Sequence, residues 1–342
     1  MADIGENVVQ GIFEQLKIDD MWSRPIRRGF EWWGHRLRQR IWATPGFEDN
    51  GIEIFRIFIV TDTVRDISAP NTAVEGALGP LGSMAIGSAI VFTPNNHTLK
   101  LWSSATVHEN VAGWMTRLLS SYAIIQLIEA EARAEQLAKL TSGNIDMSPH
   151  PSSGERSEPD EMLSVMDTVF RPMGQRPSPW NGNQEINQIR EILNSNNCFS
   201  MGDENGLTAE FPFGDATSML RIITDEPHPA IGSGVGLFLH IPLWGTVSEA
   251  SSIANALNRA EADRQTVGHL LGSWCSKTIG ERSLPAFAFF IPTALHQPGL
   301  LMNLAFSMFG RAHWIGSLMN PDTPPGDVLD IITRRFQQIA EP

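Results

Sequence analysis

The stretch that decides the fold is AIVFTPNNHTLKLWSSATV, residues 89–107, together with AFAFFIPTALHQPGLLMNLAFSMF, residues 286–309. Each stretch reads as an apolar strand that ends in a proline, followed by a loop with one histidine. Each then continues into a second predicted strand, residues 99–107 or 300–309, and into a helix that contains a tryptophan. Because the two stretches lie about 200 residues apart, the pattern predicts two copies of one α+β domain. In each copy an antiparallel sheet is expected to pack against helices.

Working outward from this repeat, the sequence predicts three segments. Residues 1–140 form the first copy and end in a long helix over about residues 110–140, whose back half is expected to leave the domain. Residues 141–183 are rich in Pro and Ser and are interpreted as a linker. An apolar island within it, residues 162–170, is either plain linker or a docking segment. Residues 184–342 form the second copy.

Charge and composition restrict the class of partner. The chain has 342 residues and a formal net charge of −13, which weighs against non-specific binding to nucleic acid or anionic lipid. Its two cysteines, Cys198 and Cys275, are too few for a zinc site and have no partner spacing. No signal peptide and no segment long enough to span a membrane is recognised. We therefore expect a cytoplasmic protein with no membrane partner.

The search for catalytic motifs predicts no chemistry. The glycine-rich run over residues 232–236 leads into a strand rather than a helix, so it indicates a turn and not a phosphate loop. No His-Glu-x-x-His motif or close His/Cys cluster is present. Asp62 and Asp66 could be written as a carboxylate pair, but exposed acids at a strand end are expected to be solvated surface. No catalytic residue, metal ligand or cofactor is predicted, and the enzyme question stays open.

A basic and aromatic stretch gives the candidate binding residues. Residues 24–40 hold six of the 25 basic side chains, interleaved with tryptophans. Strand alternation places Arg36, Arg38 and Arg40 on one face of a sheet. Guanidinium groups beside indole rings suit an anionic or aromatic partner. The candidate partner-binding residues are Arg36, Arg38, Arg40, Trp32 and Trp33. Two alternatives stay open: these arginines neutralise acids of the protein itself, or they bind nucleic acid or a small anion.

One short string carries a family resemblance. Ala256-Leu257-Asn258-Arg259-Ala260-Glu261 ends a predicted helix, and strands and a closing helix follow it. In this order of elements, each half resembles the fold shared by type III secretion chaperones and the bacterial sensory-transduction-regulator family, over residues 184–320 and more loosely over 3–125. The resemblance implies a non-enzymatic bacterial module that binds protein segments on its sheet and helices, often as a dimer. No binding residue is carried over from it.

The leading functional hypothesis is therefore a protein-binding module, chaperone-like or regulatory, with no chemistry of its own. It predicts a protein partner, and either a homodimer or an intramolecular pseudo-dimer of the two copies. One alternative is a small-ligand-binding protein or enzyme with a site between the copies, because domain interfaces often hold ligand sites. Another alternative is a self-associating scaffold that uses the helix over residues 110–140.

Overall fold

A computed structural model describes residues 3–83, 85–164, 183–195, 200–203, 206–228, 232–262 and 269–337. The fold is α+β, with two antiparallel sheets and their helices. The chain divides into two compact units, and neither unit is a continuous segment. The first unit comprises residues 1–69, 91–171 and 269–271, and the second comprises residues 70–90, 172–268 and 272–342.

The first sheet has the strand order β1-β2-β3-β5-β7-β6, with β4 and β8 pairing to β5 off this path. Its strands are β1 (Ser23–Ile26), β2 (Gly29–Trp32), β3 (Gln39–Ala43), β4 (Phe47–Asp49), β5 (Ile52–Arg65), β6 (Ala89–Thr93), β7 (Thr98–Val107) and β8 (Asn144–Ile145). The helices of this half of the chain are α1 (Ile4–Gln15), α2 (Asn71–Gly82) and α3 (Ala112–Thr141).

The second sheet has the strand order β9-β10-β11-β12-β14-β13. Its strands are β9 (Ser200–Asp203), β10 (Gly206–Phe213), β11 (Ala216–His228), β12 (Gly232–His240), β13 (Ser273–Ile279) and β14 (Arg282–Pro292). The helices of this half are α4 (Asn183–Ser195), α5 (Val247–Ala262), α6 (Leu300–Gly316) and α7 (Pro325–Gln337). A capping box starts α5, because the Glu249 amide donates to Thr246 Oγ1 while the Glu249 carboxylate accepts from the Thr246 amide.

The two sheets have the same topology, so the predicted duplication is confirmed at the level of the fold. Apart from the short strands β4 and β8 and the final helix α7, both halves run helix, four strands, helix, two strands, helix, with the last two strands exchanged in the sheet order. Each element of the second half begins about 176–188 residues after its counterpart, so β7 corresponds to β14 and α3 to α6.

The predicted alignment of the repeat was wrong by one strand. Residues 300–309, predicted as a strand, form the first turns of α6. Leu300, Leu301, Leu304, Ala305 and Met308 are buried at helical spacing, which places all five on one face. The strand before the proline at 292 is β14, which is the counterpart of β7 and not of β6.

The linker prediction was wrong for residues 144–164, which pack on the first unit. The indole N–H of Trp33 donates to the Ser148 carbonyl at 2.7 Å, and the His150 ring packs edge-on against Trp33 with a centroid distance of 4.7 Å. Arg156 donates to the Trp33 carbonyl at 2.8 Å and pairs with Asp160. These contacts hold a proline-containing segment that has little periodicity of its own. Of the island at 162–170, residues 165–170 lie outside the described residues.

The predicted long helix is confirmed as α3, but its back half stays with the first unit. Ala134, Leu137 and Thr141 are fully buried there. The front half of α3 covers one face of the first sheet, which we call the inner face: the Gln126 amide donates to the Ile59 carbonyl at 3.1 Å and to Ser103 Oγ at 2.9 Å. The opposite side of this sheet is its outer face.

The domain boundaries also differ from the two compact units. Residues 70–90, which include α2, belong to the second unit, where α2 packs on α5 and β13. Glycine makes this close approach possible, because a Cβ at Gly79 would lie 2.6 Å from the Cβ of Ser251 in α5. Residues 269–271 belong to the first unit, where the Ser104 amide of β7 donates to the Leu270 carbonyl at 2.9 Å.

Candidate partner-binding site on the first sheet

A buried carboxylate lies at the centre of the site. Asp62 stands near the end of β5, where the pairing with β7 shifts register, and its side chain is 2% exposed. Arg38 donates to Asp62 Oδ2 through Nη2 at 2.6 Å and through Nε at 3.0 Å. Arg40 Nη2 and Lys100 Nζ lie 3.0 Å and 3.2 Å from Oδ1. Lys100 of β7, Arg40 of β3 and Arg38, which directly precedes β3, thus all contact the carboxylate of Asp62.

The charges of this cluster set the protonation of its members. Burial alone would raise the pKa of Asp62, but Arg40, Lys100 and Arg38 outweigh that effect and hold it below its ordinary value. Burial raises the pKa of Asp146, and the negative charge of Asp62 raises it further. Asp62 is therefore ionised at neutral pH.

A second carboxylate extends the cluster along the outer face. Glu31 of β2 accepts from Arg24 Nε at 2.8 Å and pairs with Arg38 Nη1 at 3.4 Å, and its side chain is 5% exposed. We define the Asp62 cluster as two carboxylates and four cations: Glu31, Asp62, Arg24, Arg38, Arg40 and Lys100. Its cations outnumber its carboxylates even when the nearby Asp146 is counted. This surplus stands out in a chain whose net charge is −13.

Three aromatic rings lie beside the Asp62 cluster on the same face. Trp42 stacks on Phe58 with ring centroids 5.0 Å apart and an interplanar angle of 20°. Trp102 meets both rings edge-on, at 6.0 Å from Trp42 and 5.8 Å from Phe58. We call Trp42, Phe58 and Trp102 the aromatic patch. Cross-strand pairing explains its position, because Trp42 lies opposite Phe58, and Arg40 and Trp102 flank Val60 on neighbouring strands.

Some polar atoms of the cluster, of the patch and of the neighbouring Ser104 have no hydrogen-bond partner. Within the part of the chain that the structure describes, these buried atoms include Arg40 Nε, Trp102 Nε1 and Ser104 Oγ. Ser104 is fully buried, whereas the side chains of Arg40 and Lys100 are 27% and 21% exposed. Buried donors without a partner are uncommon in proteins and cost free energy.

The second copy shows that this fold does not depend on such a site. Counting 184 residues on from Lys100, Trp102 and Ser104 gives Leu284, Ala286 and Ala288 of β14. These three residues and Cys275 form a small buried apolar cluster against which Phe238 and Trp244 pack. The same sheet topology is thus built with apolar residues at three positions of one copy that hold Lys100, Trp102 and Ser104 in the other.

The structure brings only part of the predicted residue set together. Arg38 and Arg40 share the outer face, as strand alternation predicts. Arg36 instead pairs with Glu131 of α3 at 3.0 Å, and Glu131 also accepts from the Arg36 and Leu37 amides. Arg38 and Arg40 likewise pair with acids of the same unit, as the neutralisation alternative predicts.

The two predicted tryptophans lie inside the protein. Trp32 is 0% and Trp33 is 2% exposed. Trp33 contacts residues 148–156 of its own chain, as described above. The rings that accompany Arg38 and Arg40 are Trp42 and Trp102, and neither was among the candidate residues.

Asp62 is the residue that sequence reasoning misjudged most. The expectation of solvated surface holds for Asp66, whose side chain is 65% exposed, but is wrong for Asp62. The sequence does contain a pattern that indicates the burial of Asp62, because this residue lies in a long apolar strand. Along the strand that pairs with it, Lys100, Trp102 and Ser104 alternate with Leu99, Leu101 and Ser103. What the sequence does not contain is the register that joins these strands.

A metal-binding group and a membrane-spanning helix are both absent from the described residues. There, no group of three or more His, Cys, Asp or Glu side chains could hold a metal ion. Within the same ranges, no helix combines the length and apolar character needed to cross a membrane. Comparison with known proteins found no matching family model, no matching curated protein and no matching solved structure.

Proposed function

We propose that this chain is a non-enzymatic protein-binding module, chaperone-like or regulatory, that holds a segment of a partner protein on the outer face of its first sheet. One observation carries the proposal: the Asp62 cluster and the aromatic patch leave buried donors without partners, and the positions of Lys100, Trp102 and Ser104 are apolar in the second copy. A charged cluster that the same sheet topology does not require in the second copy, and that is imperfectly satisfied, favours a role in binding.

Energetics support this reasoning. Buried charges are costly to desolvate, and replacing a buried ion pair by packed apolar residues is often neutral or stabilising. At the position of Lys100, the second copy has the buried apolar residue Leu284. Charged groups at an interface chiefly set partner choice and association rate. The surplus of cations in the Asp62 cluster therefore suits a partner that is itself acidic.

We further propose that the protein acts in the cytoplasm and that its two copies take the place of two subunits. The packing of α2 on α5 supports the second point. These helices are counterparts in the duplicated fold, so their pairing is what two identical chains would make across a symmetric contact. Light scattering coupled to size exclusion should then give the mass of one chain. A dimeric mass at low micromolar concentration would favour the homodimer hypothesis instead.

The test is affinity capture with a matched control. The tagged Arg38→Ser/Arg40→Ser variant is compared with Arg36→Ser/Arg334→Ser, which loses the same number of charges at residues that pair with Glu131 and Asp330 and not with the Asp62 cluster. Both variants are first checked for folding by circular dichroism. Partner recovery from host lysate should fall about tenfold or more in the first variant and stay near the parent level in the second. Equal recovery in the two variants would exclude the outer face as the binding site.

A further inference from the structure

A two-stranded arm projects from the first sheet at the start of β5. The neighbouring strands β3 and β7 pair with β5 only from Ile57 and Phe55 onward. Residues 52–54 of β5 therefore pair only with β4. Every residue over 45–53 is exposed. We call residues 47–54 the β4–β5 arm.

The β4–β5 arm is mainly apolar on one face and acidic on the other. Paired residues of antiparallel strands point to the same side of the sheet. One face of the arm therefore holds Phe47, Asp49, Ile52 and Ile54. On this face, Phe47 and Ile52 are 50% and 47% exposed. On the other face, Glu48 and Glu53 lie directly opposite each other.

The opposed carboxylates of Glu48 and Glu53 are unfavourable for the arm itself, because like charges directly opposite each other destabilise a strand pair. The two-residue turn after Asp49 has positive φ at both positions, so Asp49 and Ile52 form its hydrogen-bonded closing pair. The next pair, Glu48 and Glu53, is then a non-hydrogen-bonded pair, in which side chains lie closer together. No cation of the described residues forms an ion pair with either carboxylate. A cation supplied from outside the chain would relieve their repulsion.

The same geometry leaves a free backbone edge on the arm. Strand β4 pairs with β5 and with no other strand that the structure describes. Because Glu48 belongs to a non-hydrogen-bonded pair, its backbone N–H and C=O point away from β5 toward the free edge. A partner segment can therefore add to β4 as an extended strand, with alternate side chains on the two faces of the arm.

We propose that the β4–β5 arm is a second protein-binding surface, which takes up an extended partner segment with alternating basic and apolar side chains along the free edge of β4. Charge complementarity supports this choice of partner, because residues 47–54 include three acids and no basic residue. The basic side chains of the segment lie on the face of Glu48 and Glu53, and the apolar ones lie beside Phe47 and Ile52. The arm differs in this from the Asp62 cluster, whose surplus of cations favours an acidic partner.

The experiment measures the binding of capped, fluorescent peptides to the full chain by anisotropy. One peptide alternates Phe and Lys, and its control alternates Ser and Lys. The variant Glu48→Gln/Glu53→Gln is compared with Glu135→Gln/Glu191→Gln, which loses the same number of charges at exposed positions of α3 and α4. The Phe–Lys peptide should bind the arm variant about fivefold more weakly than the control variant, because two surface charge contacts are lost. It should also bind the parent chain about fivefold more tightly than the Ser–Lys peptide does.

Two further measurements locate the bound segment. Hydrogen exchange of the Glu48 amide should slow about tenfold when the Phe–Lys peptide saturates the chain, because strand addition gives this amide an acceptor. The unfolding temperature of Glu48→Gln/Glu53→Gln should not fall below that of the parent, because the change removes a repulsion.

Four results would overturn the proposal. Equal binding of the Phe–Lys peptide to the arm variant and the control variant would show only a general attraction to an acidic protein. Equal binding of the two peptides to the parent would remove the apolar face from the site. Unchanged exchange of the Glu48 amide at saturation would exclude strand addition. A lower unfolding temperature in Glu48→Gln/Glu53→Gln would assign these carboxylates to the fold instead of to binding.

Discussion

Replacing Arg311 by methionine should severely destabilise the second unit. Arg311 and Glu261 form an ion pair whose side chains are 3% and 2% exposed, with an Nη2–Oε2 distance of 2.7 Å. The guanidinium also lies 4.0 Å from the centroid of the Phe287 ring. Glu261 accepts a further hydrogen bond from Trp274 Nε1 at 2.7 Å. In the Arg311→Met variant, the buried carboxylate would keep that single bond and lose its countercharge.

The magnitude follows from what the change leaves behind. Removing one member of a buried ion pair costs about 3–5 kcal/mol, because the remaining charge is uncompensated. That is a large part of the roughly 5–15 kcal/mol by which a typical domain is stable. The double change Glu261→Leu/Arg311→Met removes both charges; its main cost is the Trp274 indole N–H left without an acceptor, at about 1–3 kcal/mol, while the partly buried Ser307 Oγ also loses its Arg311 donor. The double variant should thus be more stable than the single variant.

The assay is urea unfolding of the full chain, with hydrogen exchange of the β13 and β14 amides as the local readout. Hydrogen exchange is needed because two units need not unfold in one transition. A loss below about 1 kcal/mol in Arg311→Met would refute the argument, as would a double variant that is less stable than the single one.

Three further predictions concern packing and pH. Gly79→Ala should destabilise the contact between α2 and α5 by about 1–3 kcal/mol, because the added Cβ meets α5. Gly76→Ala, whose added Cβ has open space around it, should be neutral or stabilising. Thermal unfolding of the two variants tests this difference. Burial, aided by nearby cations, lowers the pKa of His240 to about 4, so the unfolded chain binds this proton more readily and stability should fall between about pH 6.5 and 4. Urea unfolding at pH 7 and pH 5 should show a smaller loss in His240→Gln, and an unchanged loss would contradict the assignment. Asp62→Asn should lower the free energy of unfolding by about 3–5 kcal/mol at pH 7. Because the pKa of Asp62 is lowered in the folded state, protonation of its carboxylate below about pH 4 destabilises the parent protein, and the variant should lack this part of the acid destabilisation. Equal acid sensitivity of parent and variant would contradict this prediction.

The sequence predicts the elements of this fold better than their alignment. Apolar periodicity and the Thr246–Glu249 capping box identify helices and strands because these signals act within one element. The alignment of the repeat failed because β14 and β6 both end beside a proline. The spacing of Leu300, Leu304 and Met308 already indicates a helix.

Only those parts of the candidate site that depend on one strand could be predicted from the sequence. Alternation along one strand places Arg38 and Arg40 on one face, and the structure agrees. The position of Lys100 and Trp102 beside them depends on cross-strand register, which is fixed by packing over the whole sheet. The burial of Trp33 depends on residues 148–156, a segment whose composition resembles a linker. Contacts between distant segments are absent from any local pattern.

The interleaving of the two units has a consequence for synthesis on the ribosome. Helix α2 belongs to the second unit, and α5, on which it packs, begins about 165 residues after α2 ends. At roughly 5–20 residues per second, α2 emerges about 10–30 s before that surface exists. Its buried face, Val74 and Leu78, is without its final cover during this interval. The nascent chain should therefore be a substrate for ribosome-associated folding factors, and no single cut in the gene would yield either unit intact.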